Sequence, residues 1–194
     1  MKSLLTGSKG FLLGYLKNFL PGEYIEYNKN IIDITPEDLE GINTVYHFAS
    51  PSDKDDYKDP EKMRDMLSGS IKLFDICIDK NIRIVFASSM ASIKPENQYG
   101  YNKKVLEMYL GGYSNKLILK IPRVYGSCRK KGLIKVLKNG TFTGDKNQKI
   151  EFMDIHEWVK ETLSLLRYNG VYVYQDTYYK TIKEIEDTYI GNKK

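Results

Sequence analysis

Tyr99 and Lys103 stand four positions apart at the start of a segment, Gln98 to about Leu110, that reads as a helix stopped by Gly111-Gly112. Residues at i and i+4 share a helix face, so the phenol and the ammonium stack, and the cation is expected to favour phenolate and lower the phenol pKa. A phenol tuned in this way can take a proton from a carbinol as hydride leaves to a nicotinamide. Ser88-Ser89 closes the apolar run Ile82 to Ala87. From the carboxyl end of such a strand, Ser89 can hold the substrate oxygen and orient it toward Tyr99. With 16 tyrosines and many lysines in the chain, a lone Tyr-x-x-x-Lys pair carries little. Its placement on a strand end and a helix start is what gives it meaning.

A second element points the same way. Thr6-Gly7-Ser8-Lys9-Gly10 joins the first apolar run, Lys2 to Thr6, to a helical stretch beginning at Gly10. Free backbone N–H groups at such a strand-to-helix turn favour an anionic pyrophosphate. A third glycine three residues after Gly10 would allow close helix–strand packing, but that position is Leu13 and the glycine is displaced to Gly14.

The elements that must position these residues alternate along the whole chain. Lys2 to Thr6, Glu23 to Tyr27, Asn43 to Ala49, Ile82 to Ala87, Lys116 to Ile121, Ile150 to Met153 and Val171 to Tyr174 read as strands, and Ile31 to Ile34 looks extended as well. Helices are expected over Gly10 to Leu20, Asp59-Pro60 to about Lys80, Gln98 to Leu110, Leu133 to Lys138, Ile155 to Tyr168 and Thr181 to Ile190. Near-continuous apolar strands such as Ile82 to Ala87 are those of a parallel sheet covered on both faces. The fold class is therefore α/β: a Rossmann-type, doubly wound, mostly parallel sheet, with ligands expected beyond the carboxyl ends of its strands. The 194 residues contain no repeat, low-complexity tract or Pro/Gly-rich linker, so residues 1–194 read as one domain.

The order of the motifs resembles that of the extended short-chain dehydrogenase/reductase family, the NAD-dependent epimerases and dehydratases of nucleotide sugars. The resemblance runs through Thr6-Gly7-Ser8-Lys9-Gly10-Phe11, Asp33-Ile34, Val45-Tyr46-His47-Phe48-Ala49-Ser50, Val85-Phe86-Ala87-Ser88-Ser89, Tyr99-Gly100-Tyr101-Asn102-Lys103 with Glu107, Pro122-Arg123-Val124-Tyr125-Gly126, and Phe152-Met153-Asp154-Ile155-His156-Glu157. It implies that Gly7, Gly10, Phe11 and Leu12 meet a cofactor pyrophosphate and that Asp33 and Ile34 meet its adenine. Phe48, Ala49, Ser50 and Pro122 would lie along the rest of the cofactor. Tyr99 would be the acid/base, Lys103 would bind the nicotinamide ribose and tune Tyr99, and Ser89 would hold the substrate. Arg123 occupies a position near the substrate where the family often has Asn. By the same resemblance the two helices Asp59 to Lys80 and Gln98 to Leu110 imply a homodimer.

The chain departs from the pattern in three places. Only Asn28-Lys29-Asn30 lies between Tyr27 and Ile31, where a parallel crossover needs about a dozen residues, so one edge of the sheet is expected to be reduced. Ser89 and Tyr99 are separated by a short loop, although it could still span roughly 27 Å when extended. The sequence also ends soon after Ile190, which implies a truncated substrate-binding part. Met90 and Ala91 replace the acidic residues that the family's sugar 4,6-dehydratases carry, which argues against dehydration and leaves epimerisation or keto-sugar reduction. A degenerate nucleotide-binding or scaffold protein that kept the fold without catalysis is the alternative. For the cofactor, NAD stands slightly ahead of NADP, which Asn28, Lys29 and Lys9 make conceivable.

Composition is consistent with this reading and excludes others. The chain is 41% apolar, 28% charged and 12% aromatic with a net charge of +5, a globular balance with a mild preference for anionic partners. The basic stretch Arg129-Lys130-Lys131 with Lys135 and Lys138 could meet a diphosphate or be a solvated face. No nucleic-acid-binding pattern accompanies it. Two cysteines and two histidines provide neither a disulfide framework nor a metal cluster, and no apolar run is long enough to span a bilayer. His47, His156 and Trp158 read as structural, and the expected location is the cytoplasm.

Overall fold

The structure is a computed structural model that describes residues 1–51, 56–127 and 129–191. In chain order its elements are β1 (Lys2–Thr6), α1 (Phe11–Leu16), β2 (Glu23–Tyr27), β3 (Thr44–His47), α2 (Pro60–Asp79), β4 (Arg83–Ser89), α3 (Gln98–Tyr109), β5 (Lys116–Ile121), β6 (Val124–Tyr125), α4 (Gly132–Lys138), β7 (Lys149–Asp154), α5 (Ile155–Leu165), β8 (Gly170–Val173), β9 (Tyr178–Thr181) and α6 (Ile182–Tyr189). Among the described residues, six strands form one sheet in the order β2-β1-β3-β4-β5-β8, and every neighbouring pair is parallel.

The apolar strands are explained by burial on both faces. Successive side chains of a strand point to opposite sides, and here Leu4, Val45, Ile84, Phe86 and Ile118 join one core while Leu5, Tyr46, Val85, Leu117 and Leu119 join the other. The first core is closed by α2 and α3, through Met63, Met66, Leu73, Phe74 and Leu106. The second is closed by α1 and α5, through Leu13, Leu16, Ile155 and Trp158. α2 starts at Pro60 because Asp59 caps it, accepting from the N–H groups of Glu61 (3.0 Å) and Lys62 (3.2 Å). Trp158 is fully buried, as its amphipathic helix implied.

Two expectations are corrected. Ile31 to Ile34 is not extended: Ile31–Asp33 is a 3-10 turn, followed by a second one over Pro36–Leu39, and β2 is the edge of the sheet. Three residues after β2 cannot make a parallel crossover, so the apolar run buries itself by folding onto α2 instead. Gly69 makes room for it, since a Cβ there would lie 2.6 Å from Ile31 Cγ2 and 2.7 Å from the backbone N of Ile32. The strand at Ile150 to Met153 does not join the main sheet either. β7 pairs with the two-residue β6 in parallel and with β9 antiparallel, making a separate three-stranded sheet under α4 and α6 with its own core of Tyr125, Ile134, Leu137, Phe152, Ile182 and Ile185.

The chain leaves β1 toward β2 on one side and returns to β3 on the other. The carboxyl ends of β1 and β3 therefore diverge, and a crevice opens between their following segments.

Candidate active site

Gly7 opens the loop after β1. Its φ of +82° belongs to the left-handed region, and a Cβ would lie 2.5 Å from the backbone N of Ala49. The loop is thus pressed onto the end of β3, and Gly10 N–H closes it on Gly7 O at 2.9 Å. The displaced glycine still serves close packing, because a Cβ on Gly14 would sit 2.9 Å from Ser8 O, while Leu13 is buried in the core. Below this crevice His47 ties β1, β3 and α2 together, with Nδ1 2.6 Å from Thr6 Oγ1 and Nε2 2.8 Å from Ser70 Oγ. Burial, with Lys103 nearby, lowers its pKa to about 3, so it is a neutral structural residue.

The short loop after β4 folds as a 3-10 turn, Met90–Ser92, capped by Ser89, whose Oγ accepts from Ala91 N at 3.2 Å. Gly100 lets the start of α3 rest on this turn, since a Cβ there would lie 2.7 Å from Ala91 O. Asn97 caps α3 by accepting from Gly100 N at 3.0 Å. Few residues are needed to bring Tyr99 beside Ser89 because the helix packs directly on the turn.

Lys103 is buried, with Nζ donating to Ala87 O at 2.7 Å and lying 4.7 Å from the centroid of Phe86 and 5.7 Å from that of Tyr99. Burial pulls its pKa down to about 7, against the opposing pull of Glu107. The phenol departs from expectation. Burial raises the pKa of Tyr99, and the groups that counter it are the hydroxyls of Ser89 and Ser50 and the cation of Arg129 rather than Lys103. A lysine that has largely lost its proton when the phenol ionises exerts little pull on it.

Glu107, one turn beyond Lys103, collects three donors. Ser88 Oγ hydrogen-bonds Oε1, Ser92 Oγ donates to the same oxygen at 2.5 Å, and Lys120 Nζ lies 2.8 Å from Oε2. It joins the end of β4, the 3-10 turn, α3 and β5. The resemblance marked Glu107, but Lys120 was missed because nothing local signals its role.

A cleft of about 790 Å³ runs over these residues and is lined by Gly7, Gly10, Phe11, Leu12, Phe48, Ser50, Ser89, Tyr99, Lys103, Pro122 and Arg123, together with Tyr57, Arg129, Lys130 and Lys131. A second cleft of about 480 Å³ shares Gly7, Lys9, Ser50 and Pro51 with it and continues past Ala49 to Tyr27, Asn28, Lys29, Asn30 and Ile31. The two make one groove across the crevice. It brings together the site residues expected from sequence with two exceptions. Asp33 is exposed and Ile34 is buried in the core, and neither lines the groove. The 3-10 turn Ile31–Asp33 explains this, since it folds the run onto α2 and away from the groove. Tyr57 enters from a distant segment and had no signal as a site partner, whereas Arg129 belongs to the basic stretch that the sequence marked as able to meet a diphosphate.

No protein-family model matches the chain. The ADP-L-glycero-D-manno-heptose-6-epimerase of Alkalilimnicola ehrlichii is 24% identical over 175 residues, covering 70% of this chain and 55% of that protein. The chain thus spans little more than half the length of this curated relative. Among solved structures, TunA, described as an NAD-dependent NDP-hexosamine 5,6-dehydratase, superposes with a TM-score of 0.81 at 18% identity, over 95% of this chain and 79% of TunA. The UDP-glucuronic acid 4-epimerase of Bacillus cereus, solved with NAD, gives 0.77 at 17% identity, over 97% and 84%. The dTDP-glucose 4,6-dehydratase DesIV of Streptomyces venezuelae, solved with NAD and TYD, gives 0.82 at 15% identity, over 98% and 80%.

The chain therefore shares the fold of these solved nucleotide-sugar enzymes.

Proposed function

We propose that this extended short-chain dehydrogenase fold binds NAD(P) along the groove and acts as an enzyme, a nucleotide-sugar epimerase or keto-sugar oxidoreductase working at one carbinol. The observation that carries this reading is that Ser89, Tyr99 and Lys103 line the same cleft as the glycine loop. The groove fits a dinucleotide: Gly7 and Gly10 leave the loop bare, so a pyrophosphate can reach its backbone N–H groups, and Phe11 and Leu12 follow them along the cleft. Phe48, Ala49, Ser50 and Pro122 would hold the middle and the nicotinamide end, and Tyr27 to Ile31 the adenosine end. When bound, the nicotinamide supplies a hydride acceptor and donor.

The protein's part is to move the proton. Ser89 holds the carbinol oxygen, Tyr99 takes its proton and returns it, and the partly protonated Lys103 completes the buried end of the relay. Arg123, with Arg129, Lys130 and Lys131 around the same cleft, is suited to a substrate carrying a diphosphate. The exposed Tyr101, Val105, Met108 and Tyr109 of α3 support a homodimer through that helix. Among the described residues no helix is long and apolar enough to cross a membrane.

Native mass spectra with NAD and NADP, followed by a screen of sugar nucleotides for hydride transfer, test the reading. A cofactor adduct with turnover is expected, and Tyr99→Phe should lower turnover by about 10²-fold or more while leaving the adduct in place. Full activity of that variant would overturn the mechanism. An adduct without turnover on any sugar nucleotide would favour a degenerate nucleotide-binding or scaffold protein.

A further inference from the structure

We infer that the adenosine end of the groove is built for a 2′-phosphate, so that the chain prefers NADP(H) to NAD(H). The inference rests on the proposed dinucleotide site and concerns only which dinucleotide fills it.

In a dinucleotide-binding sheet, the end of the second strand faces the adenosine ribose. A carboxylate there accepts from the ribose hydroxyls and repels a phosphate. Here β2 ends at Tyr27 and is followed by Asn28, Lys29 and Asn30, three residues without a carboxylate. The preceding acid, Glu26, is held by Lys17 at 2.6 Å. Tyr27 turns its hydroxyl back to donate to Asn30 O at 3.4 Å.

The charge of the 480 Å³ cleft is positive from three directions. Lys9 enters from the glycine loop, Lys29 from the end of β2 and Lys62 from the first turn of α2. Lys29 is 67% exposed and lies 3.3 Å from Asp38, and Lys62 is 56% exposed and lies 3.9 Å from Asp59. The long, solvated Lys29–Asp38 pair exchanges readily for a stronger anion. The opposing carboxylate in the lining is Asp65, whose two oxygens already face Arg64 at 3.3 Å and Asn30 at 3.5 Å. A 2′-phosphate carries about −1.5 to −2 charges at neutral pH, which three lysines balance better than a bare pair of hydroxyls would use them. β2 is also the edge strand among the described residues, so the added group meets water rather than another strand.

The test is a pair of titrations of the full chain with NADPH and NADH, followed by nicotinamide fluorescence at low and moderate salt. NADPH should bind about tenfold tighter or more, with the gap narrowing as salt rises. In Lys29→Glu, whose fold is checked by circular dichroism, the gap should close or reverse, chiefly through weaker NADPH binding. Equal or tighter binding of NADH to the natural chain would overturn the preference and leave the proposed function standing. An unchanged gap in Lys29→Glu would overturn the assignment of the phosphate to this cleft. Binding of neither dinucleotide would overturn both readings.

Discussion

The ring of Tyr57 lies nearly flat on that of Tyr99, with centroids 4.6 Å apart and planes 19° from parallel. Tyr57 belongs to a 3-10 turn, Asp56–Lys58, on the connection from β3 to α2, and it lines the same cleft as the phenol. It therefore shares in the burial that raises the pKa of Tyr99. Replacing it with alanine should admit water and lower that pKa toward its ordinary value. In the pH profile of kcat/KM, the limb assigned to Tyr99 should move to lower pH, and Tyr57→Phe should leave it in place. A limb that stays put in both variants would show that Tyr57 does not shield the phenol.

Glu107 and Lys120 form the pair that closes the short loop after β4, and their side chains are only 12% and 17% exposed. Glu107→Ala leaves Lys120 without its counter-charge and Ser88 and Ser92 without their acceptor. A loss of about 2–3 kcal/mol is expected in urea unfolding. Part of it should return in the double variant Glu107→Ala with Lys120→Met. Strictly additive single-site losses would show the pair to be uncoupled.

His47 makes acid stability legible. Its folded pKa is about 3, below the ordinary 6.5, so between these values the unfolded chain takes up a proton that the folded chain refuses. Stability on this account is complete above pH 6.5 and falls as pH drops toward 3, by about 1.4 kcal/mol per pH unit. His47→Gln should be less stable at neutral pH, because it gives up bonds to Thr6 and Ser70, yet show a shallower acid limb. Parallel curves of folding free energy against pH for the two proteins would contradict this.

Gly69 sits in the middle of α2, where alanine ordinarily stabilises by about 1 kcal/mol. Here Gly69→Ala should instead destabilise by about 1–3 kcal/mol, because the new Cβ meets Ile31 and the backbone of Ile32. Ser68→Ala, on the exposed face one residue earlier, should be neutral or slightly stabilising. Equal midpoints for the two variants in thermal unfolding would show that the Ile31–Asp33 turn does not rest on this glycine.

Everything that depends on local pattern and order was legible in the residues alone. Apolar strands such as Lys116–Ile121, alternating with helices such as Pro60–Asp79, specify a parallel sheet covered on both faces, since burying both sides of a strand leaves no polar face to read. The glycines at 7 and 10 and the spacing of Ser89, Tyr99 and Lys103 placed the groove at the strand ends, because those residues lie at element boundaries that sequence marks well. Tertiary structure decided the rest. Ile31 to Ile34 has a strand's composition, yet three linking residues and the space at Gly69 turn it into a 3-10 helix, and with it Asp33 and Ile34 leave the groove. The second sheet was also not legible, because β7 pairs with β6 and β9, partners that only the folded chain brings to it. The charge of Lys103 and the tuning of Tyr99 were likewise beyond sequence. A pKa is set by the desolvation and charges that distant residues impose, here Arg129, Ser50 and the surrounding core, and only the folded chain brings those to the phenol.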